Sequence, residues 1–141
     1  MDEQQIREHA ERFRRCLEEL DAELGHPFLR FPAGSCGDAS RLLGQWLTDH
    51  GIPRLAYVAA ERRGKSHAWL EINELIIDIT ADQFEDGPGA VYVGKDRSFH
   101  GQFQDEVREA HSLDKELEHG YQLCKQWMSR HPKPLEPSSD S

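Results

Sequence analysis

The stretch Ser66-His67-Ala68-Trp69-Leu70-Glu71-Ile72-Asn73-Glu74-Leu75-Ile76-Ile77-Asp78-Ile79-Thr80 constrains this chain more than any other. Asn73-Glu74 reads as a two-residue turn between two strands, which pairs Ile72 with Leu75, Trp69 with Asp78 and His67 with Thr80. One face of that hairpin then carries Ala68, Leu70, Ile72, Leu75, Ile77 and Ile79, all apolar, and the other carries His67, Trp69, Glu71, Ile76, Asp78 and Thr80. A slip of one residue would mix the two faces, so burial selects the register. His67 and Asp78 become diagonal neighbours on one face, about 7–8 Å apart between backbones, a gap that an imidazole and a carboxylate can close. An aspartate so placed can hold one tautomer of the histidine.

A second stretch, Gly34-Ser35-Cys36-Gly37-Asp38-Ala39-Ser40-Arg41-Leu42-Leu43-Gly44-Gln45-Trp46-Leu47, predicts a helix that starts at Cys36. Ser35 and Asp38 have the spacing of a capping box, and Ala39, Leu42, Leu43, Trp46 and Leu47 recur at helical intervals before Gly51 and Pro53 stop the run. A thiol on the first turn feels the positive end of the helix dipole, which lowers its pKa, and the free amides of Cys36 and Gly37 could receive an oxyanion. Asp38 works weakly against the thiolate. The plain alternative is that Cys36 is a small buried apolar residue.

A cysteine at a helix N-terminus, a histidine on a strand and an aspartate on the next strand, in that chain order, resemble the papain-like cysteine hydrolase superfamily. The transglutaminase-like and arylamine N-acetyltransferase-like branches are the nearest in pattern. The resemblance runs from about Phe31 to Phe84. It implies an α+β fold in which the helix bearing Cys36 packs on a small antiparallel sheet flanked by N- and C-terminal helices. It also implies a Cys36-His67-Asp78 triad. Gly37 would serve the oxyanion site, with Trp69 and Gln83 in support. Asp82 is the rival to Asp78 as the orienting carboxylate. His67 follows Cys36 far more closely than the about 130–150 residues of the papain subgroup. No glutamine precedes Cys36 within ten residues, so the side-chain half of a papain-type oxyanion hole is missing or comes from elsewhere.

The remainder of the chain frames these two stretches. Ile6, Ala10, Phe13, Leu17, Leu20 and Leu24 alternate by four and three, which predicts an amphipathic helix from about Glu3 to Leu24, ended by Gly25 and Pro27. His26 to Pro32 is expected to be extended. A strand over Arg54–Glu61 and a turn at Arg62-Arg63-Gly64-Lys65 lead into the His67 strand, and Val91-Tyr92-Val93 predicts a fourth short strand. Arg62, Arg63 and Lys65 could meet an acidic group on a substrate or form a solvated tip. Phe99, His100 and Phe103 fall in an irregular segment over the sheet or the cleft, and His100 has no assigned partner. From about Asp105 or His111 to Arg130 the pattern again predicts helix, with Leu113, Leu117, Tyr121, Cys124 and Met128 on one stripe. Cys16 and Cys124 read as packing. Residues 1–130 are expected to form one domain, followed by a disordered tail at 131–141.

The formal net charge of −9 and the lack of a long Lys/Arg run argue against nucleic acid as a partner. No apolar stretch reaches membrane-span length, and the charged N-terminus lacks a signal-peptide core, so a cytoplasmic protein is expected. Three cysteines without a C-x-x-C pair suggest reduced thiols and no structural zinc. The expected activity is thiol-dependent acyl transfer on a peptide, protein or small amide, by hydrolysis, deamidation or amine transfer, without a cofactor. Two other readings stay open. The polar row could be a structural seam in a binding or assembly module, or Cys36, His67 and Asp78 could hold a metal.

Overall fold

A computed structural model describes residues 1–26 and 28–132; Pro27, expected to help end the first helix, and the expected tail from residue 133 lie outside them. The chain is α+β: among the described residues, three α-helices and one five-stranded antiparallel sheet. Helix α1 (Glu3–Leu24) opens with a closed capping box, in which Asp2 accepts from the Gln5 amide at 2.8 Å and the Gln5 side chain accepts from the Asp2 amide at 2.9 Å. Gly25, at φ 73°, takes the left-handed turn that ends it. The segment expected to be extended instead coils into a short 3-10 turn at Phe28–Arg30. That turn buries Phe28 against α1, and its tertiary contact overrides the local preference for extension.

Helix α2 spans Cys36–Asp49, but Ser35 does not cap it. Its hydroxyl instead donates to the Pro32 carbonyl at 3.0 Å, so the expected capping box with Asp38 does not form. Strands β1 (Ala56–Arg62), β2 (Lys65–Ile72), β3 (Leu75–Asp78), β4 (Tyr92–Gly94) and β5 (Gln104–Ala110) lie in the order β4-β3-β2-β1-β5. The β2–β3 hairpin has the expected register, Ile72 opposite Leu75 and Leu70 opposite Ile77, around Asn73-Glu74. Helix α3 (Glu118–Arg130) follows.

The expectation of a helix starting near Asp105 or His111 is overturned. Gln104–Ala110 is an edge strand paired with β1, from Ala56 opposite Ala110 to Glu61 opposite Gln104, and α3 begins only at Glu118, leaving Leu113 and Leu117 ahead of it. All seven residues of β5 are exposed, so neither strand nor helix periodicity marks them, and the backbone ladder to β1 alone decides. A charged edge also discourages pairing with another chain.

Both faces of the sheet are covered. On one face Leu70, Ile77 and Ile79 join Leu42, Leu43 and Leu47 of α2 and Phe13 and Leu17 of α1 in the larger core. On the other, Val58, Ala60, Trp69 and Ile76 lie under Phe84, Phe99 and Phe103, which the loops after β3 and β4 bring over. Burying those rings encloses a row of polar side chains, His67, Glu71, Asp78 and His100. Arg14 of α1 pins the chain leaving β3, donating to both carboxylate oxygens of Asp82 at 2.8 Å and to the Ile79 carbonyl at 2.8 Å.

Candidate active site

The hairpin register puts Asp78 beside His67, and burial makes the contact count. Asp78 Oδ2 lies 2.7 Å from His67 Nε2, both side chains fully buried. The other oxygen, Oδ1, accepts the Thr80 amide at 2.9 Å. His100, unassigned from sequence, brings its Nε2 to the same Oδ2 at 2.6 Å, while its buried Nδ1 has no partner among the described residues. Burial disfavours the Asp78 carboxylate, yet His100 and His67 outweigh it and hold its pKa well below the usual range. An ionised Asp78 accepts from Nε2–H, so His67 presents Nδ1 on its opposite side.

That opposite side meets the segment that follows β3. β2 and β3 pair from Leu70 to Ile72 and no further, and past Asp78 the chain turns off into a 3-10 turn at Ala81–Gln83. The first turn of α2 lies near the imidazole, and Cys36 and His67 shift each other's ionisation, although no hydrogen bond joins them among the described residues. The Gln83 amide nitrogen is 2.8 Å from His67 Nδ1. In the neutral ring Nδ1 accepts from that amide; in the imidazolium Nδ1 carries a proton and the amide must turn.

The electrostatics favour this charge-separated form. Burial works against the Cys36 thiolate, but His67, the Ala68 backbone and Gln83 bring its pKa below the ordinary thiol value. Burial also works against the imidazolium, but Asp78 and Cys36 raise His67 to about 9. Because Ser35 bonds elsewhere, the amides of Cys36, Gly37 and Asp38 meet no acceptor among the described residues, and they remain open to an anion at the thiol.

The remaining expected residues divide. Gln83 touches the site, as above, and Gly37 lies on the open first turn. Trp69 does not point a donor at the nucleophile: its indole N–H goes to Glu71 at 2.8 Å, and its ring walls the site 5.6 Å from His67 and 4.8 Å from His100 between centroids. Asp82, the rival carboxylate, is held by Arg14 and takes no part. Arg62 is engaged by Asp86 through paired contacts of 2.8 Å and lies over the Phe84, Phe99 and Phe103 rings, so it is not free for a substrate. Cys16 and Cys124 are fully buried between α1 and α3, and the contact with Cys124 together with burial pushes the Cys16 pKa up. His100 carried one sequence signal, its place between Phe99 and Phe103, both of which cover the same face.

His67, Asp78 and His100 also form a group that could face a metal, with one ligand atom from each within 4.8 Å of the others. The distances of 2.7 and 2.6 Å to a single carboxylate oxygen are those of shared protons. Ligands of a tetrahedral zinc at about 2.0–2.1 Å stand about 3.3 Å apart, so the three side chains would have to spread to receive one. Cys36 is not a member of that group.

Neither a family model, nor a curated protein, nor a solved structure matches this chain.

Proposed function

We propose that the protein is a thiol-dependent acyl-transfer enzyme of the papain-like kind, with a core resembling its transglutaminase-like branch. Cys36 Sγ attacks a carbonyl carbon, His67 donates its Nδ1 proton to the departing amine, and Asp78 keeps Nε2–H of the imidazole in place. Water or an amine then attacks the thioester while Nδ1 takes the incoming proton. The observation that carries the reading is the buried Asp78–His67 pair close to a thiol of lowered pKa on an uncapped helix start. Substrates in this reading are peptides, proteins or small amides, and the setting is the cytoplasm.

The test is acylation by p-nitrophenyl acetate at neutral pH, with the adduct located by peptide mass. Acetylation of Cys36 ahead of Cys16 and Cys124 is expected. Equal modification of all three thiols in the folded protein, or none at Cys36, rejects the reading. One observation favours a structural seam in a binding module instead, namely that Gln83 already satisfies His67 Nδ1 at 2.8 Å. His67→Ala separates the two: lost Cys36 reactivity at near-native melting temperature supports catalysis, whereas marked destabilisation with unchanged Cys36 labelling supports the seam.

A further inference from the structure

We infer that the Tyr57 hydroxyl is a catalytic residue of this site, the side-chain donor that joins the α2 amides in binding the oxyanion formed at Cys36. The inference rests on the acyl-transfer reading and adds a residue that the triad does not contain. Tyr57 lies on β1 opposite Leu70, on the sheet face that α2 covers. Its hydroxyl stands 2.9 Å from the position that a Cβ on Gly37 would occupy, directly over the first turn of the helix. Any side chain at residue 37 would displace it, a physical reason for glycine beside the nucleophile.

Three further observations give the hydroxyl a task. It has no hydrogen-bond partner among the described residues, although Tyr57 is half-buried and nearby groups such as Ser40 and His111 are bonded. Its oxygen is not completely sealed from solvent. The Arg41 guanidinium stacks on its ring at 3.9 Å from the centroid, and Arg41 is itself fixed by Glu109 at 2.9 Å and by the Ser112 carbonyl at 3.1 Å. A cation on the ring face withdraws electron density and makes the O–H a stronger donor. Burial is the main influence on the Tyr57 pKa and raises it, outweighing the Arg41 cation that lowers it, so the phenol keeps its proton at neutral pH.

In the step assigned, the Cys36 thiolate forms an S–C bond, the carbonyl π pair moves to oxygen, and Tyr57 O–H and the α2 amides donate to that O⁻. The pair returns as the C–N bond breaks, and the amine leaves with the proton from His67 Nδ1. Tyr57 transfers no proton in this cycle.

Alkylation by chloroacetamide consumes the same thiolate without forming an oxyanion, so the two reagents isolate the hydroxyl. In the full chain, Tyr57→Phe should slow acetylation of Cys36 by p-nitrophenyl acetate about 10- to 100-fold, somewhat less than the loss of a sole side-chain donor in other oxyanion holes. Its alkylation rate and melting temperature should stay within twofold and within a few degrees of the wild type. Equal slowing of both reactions, or no slowing of either, overturns the role of Tyr57 while wild-type acetylation at Cys36 still upholds the triad. Absence of wild-type acetylation overturns both.

Discussion

Two buried carboxylates share one face of the sheet and are satisfied in different ways. Glu71 takes Arg97 and Arg108 at 2.8 Å each, and the Trp69 indole at 2.8 Å. Burial opposes its ionisation, but those donors bring its pKa below the usual value. Asp78 instead takes two imidazoles and a backbone amide. A guanidinium stays charged at any pH the fold survives, so Glu71 can only brace the sheet. An imidazole changes its charge near neutrality, so the same kind of buried acid beside His67 can couple to proton transfer. The nucleophilic candidate lies at the Asp78 end. The difference between a brace and a pair able to move protons is therefore the partner's titration range, not the acid or its burial.

The comparison breaks most sharply on Cys36→Ser, which should abolish acyl transfer completely while leaving the melting temperature near native, as measured by product formation and thermal denaturation. Asp78→Asn comes next. It should lower Cys36 acylation by about 10²–10⁴-fold through loss of the orienting charge, with the far-ultraviolet circular dichroism retained. Glu71→Gln should do the reverse, costing about 1–3 kcal/mol in denaturant unfolding and changing the acylation rate by less than about threefold. A large rate loss in Glu71→Gln would erase the distinction.

A pH profile sharpens it further. Acylation should rise with an apparent pKa below the ordinary thiol value, as Cys36 ionises, and amide turnover should fall as pH passes about 9, where His67 loses the proton owed to the leaving group. Because the folded pKa of His67 is raised, its contribution to stability is full below about 6.5 and is lost as pH climbs through about 9. The melting temperature should drift down in that window, and less so in Asp78→Asn. The smallest effect belongs to Asp82→Asn, which weakens the anchor of Arg14 and should cost about 1 kcal/mol without altering Cys36 labelling.

What the chain wrote locally was read without its tertiary structure. The alternation around Asn73-Glu74 leaves one register, because a slip would bury polar side chains, and that register put His67 and Asp78 on one face of the sheet. The four-and-three spacing of α1 and the apolar stripe from Ala39 to Leu47 determined two helices, since each must bury one face. Ser35 turned to Pro32, three residues back, one of two acceptable local hydrogen bonds, and left the α2 amides bare. Other features depended on groups distant in sequence. β5 carries no burial pattern of its own and exists because β1 offers it a ladder. His100 and Tyr57 reach the site from segments 22 residues beyond Asp78 and 21 residues beyond Cys36, and no spacing rule links them to it. Periodicity reports which side of an element is buried; which buried polar groups meet is decided only when the layers close.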